Sequence, residues 1–442
     1  MIYLSKDTKL TTELLQKIIN KFIINTQPKL QKWGNYYNGK HAILNKTYSD
    51  PSKECNHVVT NYCKIITDTY SGYIAGKPIS YTSNQDITDI QDCINYNDSA
   101  AEDMSWCTNA LIYSVAYELF WLDSSAQIRY SQVNPLNAFA IYSNTLDCDL
   151  MYFVRWYKAD NFDENDIYYI EVYSSDSIIT YKAYGILGAL EFVSEEPHYF
   201  GDVPVSVFWL NDTEDNIFDC IITQNDAYNE LQSSEIDDFN AWVDAYLMLV
   251  GVDADSEDIA EMKENRVLIL PENSQAAWLT KNANDTQIVN MLDNIKKNIF
   301  KVTACPDMAD ETFLAQSGTA LAYKLVGFEN VASGIVARFR KALQRRIELI
   351  CNVLNLKASE AMWRDINISF VRNLPVNLTE TIQLINSLKG TVSDATLLAQ
   401  LPFITDIQAE LEAVQAQKEA NIAMYGFGAD TDDYTDDEED DV

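Results

Sequence analysis

Aspartate and glutamate outnumber lysine and arginine 66 to 32, so carboxylate pairs recur along the 442 residues and no single pair marks a catalytic dyad. One acidic stretch does have metal-ligand spacing. Asp253, Asp255 and Glu257 alternate, and Glu264 stands twelfth from Asp253, as in a calcium-binding loop. The sixth position is Asp258, where such a loop needs glycine for its sharp turn, so a capped charged helix is the better reading and no metal is expected. His41, His57 and His198 lack metal-ligand spacing, and Cys55 and His57 lie too close in sequence to suggest a nucleophile–base dyad on their own. The eight cysteines contain no CxxC pair and no signal peptide precedes them. They are expected as reduced, mostly buried thiols of a cytoplasmic protein. No GxxxxGK[ST] phosphate loop occurs, so no nucleotide cofactor is expected.

The formal net charge of −34 speaks against a conventional nucleic-acid binder, which neutralises phosphate with a lysine and arginine surface. It suits basic partners, or a surface that must not hold DNA. Between Lys182 and Lys263 there is no lysine or arginine, while Asp212, Glu214, Asp215, Asp219, Asp226, Glu230, Glu235, Asp237, Asp238 and Asp244 crowd one helical stretch. Two readings stay open: a solvated helix face, or a surface that repels phosphate. The one notable basic cluster, Arg338, Arg340, Lys341, Arg345 and Arg346, reads first as a helix surface pairing with acids such as Glu348 or an adjacent subunit; DNA contact is the alternative. The longest apolar run, Trp242 to Val252, contains Asp244 and is too short to span a bilayer.

The elements that position these residues alternate between two periods. Leu14, Leu15, Ile18, Ile19, Phe22 and Ile23 form one helical stripe, and helices are expected from about Asn56 to Tyr73 and from Asp86 to about Val115. From Tyr117 to Leu210 the period changes to two, with strands at Met151–Tyr157, Ile167–Tyr173 and Ile178–Tyr181, giving an antiparallel α+β unit. A long helix over Ile217–Val250, with Phe239 and Trp242 in step, leads to a small αβ tip bearing strands Arg266–Leu270 and Ala276–Leu279. The chain returns on Ile288, Leu292, Ile295, Ile299 and Val302, an apolar seam that packs along a neighbouring helix. Pro306 stops that helix, and Ser317 caps the next, which runs from Gly318 to about Leu356 with a kink near Gly327 or Gly334. Between them Asp307, Met308, Ala309, Asp310, Glu311, Thr312, Phe313, Leu314, Ala315 and Gln316 form a loop on two stiff supports, with Pro306 and Gly318 as hinges. Residues 378–423 read as two or three helices, and the Asp/Glu-rich end as a disordered tail.

Taken in order, several motifs make the chain resemble the portal proteins of long-tailed bacteriophages. They are Tyr36-Tyr37-Asn38-Gly39 with His41-Ala42-Ile43-Leu44, Asn56 through Tyr73 into Gly76-Lys77-Pro78-Ile79, Gly201-Asp202-Val203-Pro204 and Asp226-Ala227-Tyr228-Asn229. Trp278-Leu279-Thr280-Lys281, Cys305-Pro306-Asp307 with Phe313, Ser317-Gly318-Thr319-Ala320-Leu321 and Leu388-Lys389-Gly390-Thr391-Val392-Ser393 complete the set, over roughly residues 30 to 425. The resemblance implies a homo-oligomeric ring, commonly of twelve subunits, at one capsid vertex, through which double-stranded DNA enters and leaves without sequence readout. It implies an α+β portal fold: a wing over residues 1–216, stem helices at 217–250 and 286–305, a clip at 251–285, and a tunnel loop at 306–317. A long helix with a return to the wing (318–377), a helical crown (378–425) and an acidic tail (426–442) follow. The implied partners are the terminase large subunit, the head–tail connector, scaffold and major capsid protein, in the host cytoplasm during assembly and then in the virion. The clip, carrying Asp253, Asp255, Arg266, Leu268 and Trp278, would meet motor and connector. The competing class is a metal-dependent packaging nuclease using Asp/Glu clusters.

Overall fold

The computed structural model describes residues 1–49, 55–160, 166–243, 247–250, 275–278, 285–309, 318–354, 362–373, 378–398, 401, 410–411 and 413–418. The chain divides into two compact units, Met1–Asn373 and Leu374–Val442.

Strand β1 (Ile2–Leu4) is followed by α1 (Thr12–Lys21), whose first turn is capped by the Thr11 hydroxyl accepting the Leu14 N–H at 3.3 Å and whose apolar stripe buries Leu15 and Ile19. A π turn, Phe22–Thr26, joins α1 to α2 (Gln27–Tyr37). Pro28 accounts for the widening. It has no N–H to give the Ile24 carbonyl and its ring crowds that turn, and a π turn relieves both. Helix α3 (Tyr62–Ala75) starts later than expected, because residues 55–61 run as irregular chain beside another helix. The helix expected from Asp86 to Val115 is two, α4 (Thr88–Tyr96) and α5 (Ser99–Tyr113), broken where Asp98 turns left-handed at φ 49°.

After the short β2 (Ser80–Thr82) come β3 (Val115–Leu122), β4 (Ile128–Val133), β5 (Ala138–Ser143), β6 (Leu150–Lys158), β7 (Ile167–Tyr173), β8 (Ser177–Tyr184), β9 (Glu191–Pro197) and β10 (Val205–Trp209). A six-stranded sheet has the order β1-β5-β6-β7-β8-β9 and a three-stranded one the order β10-β3-β4. The neighbours are antiparallel, as the succession of strands implies, except that β1 lies parallel to β5 with Ile2 opposite Ile141. Three residues leave no period to read, so this pairing has no local signal. Inward residues of both sheets, among them Tyr117, Leu119, Ala140, Phe153 and Val205, share one core.

The helix expected over Ile217–Val250 is α6 (Ile222–Val243), entered by a 3-10 turn at Asp219–Ile221. Leu247–Val250 is instead a strand, β11, paired antiparallel with β12 (Gln275–Trp278). An unbroken apolar run such as Leu247-Met248-Leu249-Val250 suits a buried strand and a buried helix equally, and cross-strand pairing decided it. Helix α7 (Asp285–Val302) returns along α6, and α8 (Gly318–Val353) runs through Gly327 and Gly334 without interruption. From Leu325 on, helix α8 is amphipathic, burying Phe328, Ala332, Phe339, Leu343, Ile347 and Ile350. Phe339 stacks on Phe208 of β10 with centroids 4.7 Å apart and meets Trp106 edge-on at 5.5 Å. Strand β13 (Asn367–Ser369) then pairs with β2. In the second unit, α9 (Leu378–Leu388) and α10 (Asp394–Leu398) flank Gly390, whose φ of 87° is the left-handed value glycine adopts freely.

Candidate functional site

The α6–α7 hairpin and the start of the loop it supports are built from three sets of contacts. The first is the seam. Ile299 of α7 is fully buried, and Ile288, Leu292 and Ile295 are half-buried as their spacing predicts. Phe239 departs from the expectation of stem packing: it stands 68% exposed in the single chain, as Val302 does at 53%. Trp242 falls in the last turn of α6, with its side chain outside the described residues, and Trp278 pairs through its backbone with Leu247.

The second set is a polar ladder. Asn225, Asn229, Ser233 and Asp237 recur every fourth residue on one face of α6, and each accepts a backbone N–H from the segment leading into α3 or from its first residue. Tyr62 donates to Asn225 at 3.1 Å, Thr60 to Asn229 at 2.9 Å, Val58 to Ser233 at 3.0 Å and Asn56 to Asp237 at 2.7 Å. The match is geometric. Four helical residues rise about 6 Å, close to the roughly 6.6 Å spanned by two residues of extended chain. Asn225 also donates to the Thr60 carbonyl at 2.8 Å, and Asn229 to His41 Nδ1 at 3.0 Å. His41 Nε2 lies 2.9 Å from the Tyr36 carbonyl, which can only accept, so the proton sits on Nε2 and Nδ1 is free to accept from Asn229.

This ladder settles part of the acidic run. Asp219 accepts from Trp33 Nε1 at 2.6 Å, Asp226 from the Tyr36 hydroxyl at 2.8 Å, and Asp237 from Asn56 and the Tyr48 hydroxyl. Burial raises the Tyr36 hydroxyl pKa and Asp226 raises it further. Asp237 is pushed up by burial, but its hydrogen bonds from Asn56 and Tyr48 and the nearby Lys46 outweigh this and hold it below the usual carboxylate range. Asp226 and Asp237 are half-buried acceptors, and the exposed Asp219 is tied to Trp33, so the three are neither a plain solvated face nor a bare phosphate-repelling lining. The Tyr36-to-His41 motif thus docks α2 and the following turn onto α6.

The third set fixes the start of the loop. Thr303 Oγ1 donates to the Ile299 carbonyl at 2.9 Å, and the Thr303 carbonyl accepts from the Tyr70 hydroxyl at 2.8 Å. Ala304 turns left-handed at φ 52°, Cys305 is buried, and Asp307 returns to pair with Lys296 of α7 at 2.7 Å. That hydrogen bond raises the Lys296 pKa, with burial opposing it. Phe328 of α8 packs on Tyr70 and Tyr73, centroids 4.4 and 4.7 Å away, and a Cβ on Gly327 would lie 3.7 Å from Ala304 Cβ. Helix α3 therefore holds both supports of the loop together. Pro306 is half-buried, Met308 is exposed, and the Ala309 N–H caps back to Asp307 Oδ1 at 3.1 Å. Gly318 opens α8, as a Ser317 cap predicts. Asp310, Glu311, Thr312, Phe313, Leu314, Ala315 and Gln316 lie outside the described residues, as do Asp253, Asp255, Arg266, Leu268 and the strand expected at 266–270.

Four residues of the basic cluster pair with acids or a carbonyl of this chain, in line with the surface-pairing reading, while Arg340 and Lys341 are exposed and only Arg346 is fully buried. Arg338 pairs with Asp212 at 2.6 Å, Arg345 with Asp202 and Glu348 at 2.8 Å each, and Arg340 Nε donates to the Ile368 carbonyl at 3.3 Å. Arg346 is fully buried between Asp103 at 2.6 Å and Glu118 at 2.7 Å, its guanidinium 4.7 Å from the Tyr130 ring and 5.1 Å from that of Trp106. Its planar fork suits two carboxylates and two rings at once. Cys55 Sγ and His57 Nε2 are 3.6 Å apart, yet both also reach the Lys46 carbonyl, at 3.5 and 2.8 Å. Among the described residues no group of three His, Cys, Asp or Glu is placed to hold a metal ion. Among them, too, no helix is long and apolar enough to cross a membrane.

Sequence reasoning gave no site role to Asn225, Asn229, Ser233, Tyr70 and Lys296, although Asn229 and Tyr70 fall within motifs it singled out. The four-residue spacing of the first three with Asp237 was the available signal.

An α+β chain with a helical hairpin, a left-handed turn at its end and a long amphipathic helix beyond is the setting in which the family comparison falls. The chain belongs to the phage portal protein family, SPP1 Gp6-like, whose model matches residues 17–424. It is 21% identical over 467 aligned positions to the portal protein of Bacillus phage SPP1, an alignment that covers 97% of this chain and 91% of that one.

Proposed function

We propose that this chain is the subunit of a homo-oligomeric portal ring, commonly of twelve copies, through which viral double-stranded DNA is packaged and ejected. It acts as a conduit without catalysis of its own, docking the terminase large subunit and later the head–tail connector. Scaffold and major capsid protein surround it at one capsid vertex. Helices α6 and α7 serve as the stem, residues 251–285 as the clip, residues 306–317 as the tunnel loop and residues 378–425 as the crown. The observation that carries the reading is family membership across residues 17–424. Apolar side chains left bare on the hairpin and on the first turns of α8 agree with it: Phe239 at 68%, Val289 at 51%, Met291 at 48% and Val326 at 51%. Neighbouring subunits would cover them.

A loop that must pass every sequence contacts the backbone weakly and reads no bases. Deleting Ala309 to Ala315 is expected to leave assembled rings but to lower the yield of DNA-filled particles, measured by nuclease-protected DNA per capsid. Normally filled particles from the deletion would refute the role given to the loop.

A further inference from the structure

The first 46 residues hold eight of the chain's 32 lysines and arginines but only Asp7 and Glu13 of its 66 acids. Lys6, Lys29 and Lys46 pair with Asp149, Asp215 and Glu230, whereas Lys9, Lys17, Lys21 and Lys32 are exposed and pair with no described acid. The spacing on α1 shows where they stand. Leu15, Ile19 and Phe22 are buried, and Phe22 packs on Phe139 of β5 at 5.2 Å and on Trp156 of β6 at 5.5 Å. Lys17, Lys21 and Ile24 each follow one of those three by two residues, about 200° round the helix, so they form the outward face. Ile24 is 66% exposed, and Glu13, one turn before Lys17, is the acid nearest this face in sequence. A basic stripe with an apolar end thus stands on a chain of net charge −34.

The far edge of the same sheet is opposite in sign. Strand β9 ends the order β1-β5-β6-β7-β8-β9, and six of its seven residues are exposed, so the chain covers neither of its faces. Glu191, Glu195 and Glu196 stand exposed on it, together with Phe192 at 63% and Val193. The one base on the β8–β9 pair is Lys182, opposite Glu191. Strand β9 lies three strands beyond β6, about 14 Å away at the usual strand spacing. That exceeds the Debye length of about 8 Å, so the stripe and the edge of one chain do not neutralise each other.

We propose that the two surfaces are the halves of one interface, in which the α1 stripe of one copy meets the β9 edge of the next. The charges favour this arrangement over a two-fold one. Edge against edge sets glutamate against glutamate, and stripe against stripe sets lysine against lysine, whereas stripe against edge joins opposite signs around Ile24 and Phe192. A contact between two different patches repeats from copy to copy and closes into a ring when the rotation allows. The inference rests on the portal reading for the ring and adds to it which surfaces meet.

The test uses two full-length variants, followed by mass photometry and negative-stain electron microscopy. Lys17→Glu/Lys21→Glu/Lys32→Glu makes both surfaces acidic, and Glu191→Lys/Glu195→Lys/Glu196→Lys makes both basic. Each variant alone is expected to need a concentration about tenfold or more above that of the wild type to assemble, because like charges then face each other at every contact. An equimolar mixture of the two restores opposite signs at each contact and is expected to assemble at wild-type concentration, with the variants alternating. Recovery in the mixture also shows that both variants are folded. Assembly of either variant alone at wild-type concentration, or no recovery in the mixture, would overturn the proposal and leave the ring itself standing. A wild type that forms no oligomer would remove the portal reading and this proposal together.

Discussion

Asn229→Ala removes one rung from the ladder that fastens the 55–62 segment to α6. The side chain is fully buried, accepting from the Thr60 N–H at 2.9 Å and donating to His41 Nδ1 at 3.0 Å. Alanine leaves both partners stranded. Each buried group deprived of its partner costs about 1 to 3 kcal/mol. His41 is 1% exposed and bears this in full, while Thr60 is half-buried and water can reach part of its amide. The sum is about 2 to 4 kcal/mol, and at about 1.4 kcal/mol per factor of ten the local opening constant rises roughly 30- to 1,000-fold. Hydrogen exchange followed by mass spectrometry reads this directly as faster exchange in peptides covering residues 55–62, with slow exchange retained in β6 and β7. Wild-type exchange rates in that stretch would refute the reasoning. So would equal acceleration throughout Met1–Asn373, which would mean that the ladder is not a local fastening.

Three more outcomes follow from the same contacts. Arg346→Met leaves Asp103 and Glu118 buried without their cation and is expected to destabilise the fold by about 3 to 5 kcal/mol, seen as a lowered thermal midpoint; the double variant with Glu118→Gln should recover part of it. Burial pushes the Glu118 carboxyl up to about 7 against the pull of Arg346, so the native state holds this proton more tightly than the unfolded chain does. Its contribution is therefore present at low pH and is lost as pH rises from 4.5 through about 7, and Glu118→Gln should flatten the thermal midpoint over that window. Tyr70→Phe keeps the ring against Phe328 but removes the hydrogen bond to the Thr303 carbonyl, which should cost about 1 kcal/mol and speed protease cleavage after Lys301 without altering secondary structure; an unchanged cleavage rate would count against α3 anchoring the loop.

What could be read from the residues was set by whether the signal was periodic. The α1 stripe, the β6 and β7 alternation and the α7 seam repeat often enough to fix element type, and Ile299 is fully buried although Val302, the last residue of its stripe, is exposed. Where partners lie far apart in sequence, periodicity says nothing: β1 finds β5 in parallel, and Leu247–Val250 became a strand because Gln275–Trp278 pairs with it. The breaks came from single residues, Asp98 and Pro28, whose effects are local and legible only once the neighbouring turn is known. Charge was the most misleading guide. Asp219, Asp226 and Asp237 belong to a run that looks like surface, yet each satisfies a donor from another element, and Arg346 belongs to a basic cluster yet is fully enclosed. Lys296 carried no motif and Tyr70 only a place in a helical one, because their role depends on where the chain turns after Val302.

The central claim is that copies of this chain close into a ring around a passage for DNA. Electron microscopy of the purified, negatively stained full-length protein tests it most directly. The account predicts closed rings of uniform subunit number with a central hole wide enough for a duplex. Single chains or open, irregular aggregates at every protein and salt concentration would contradict it.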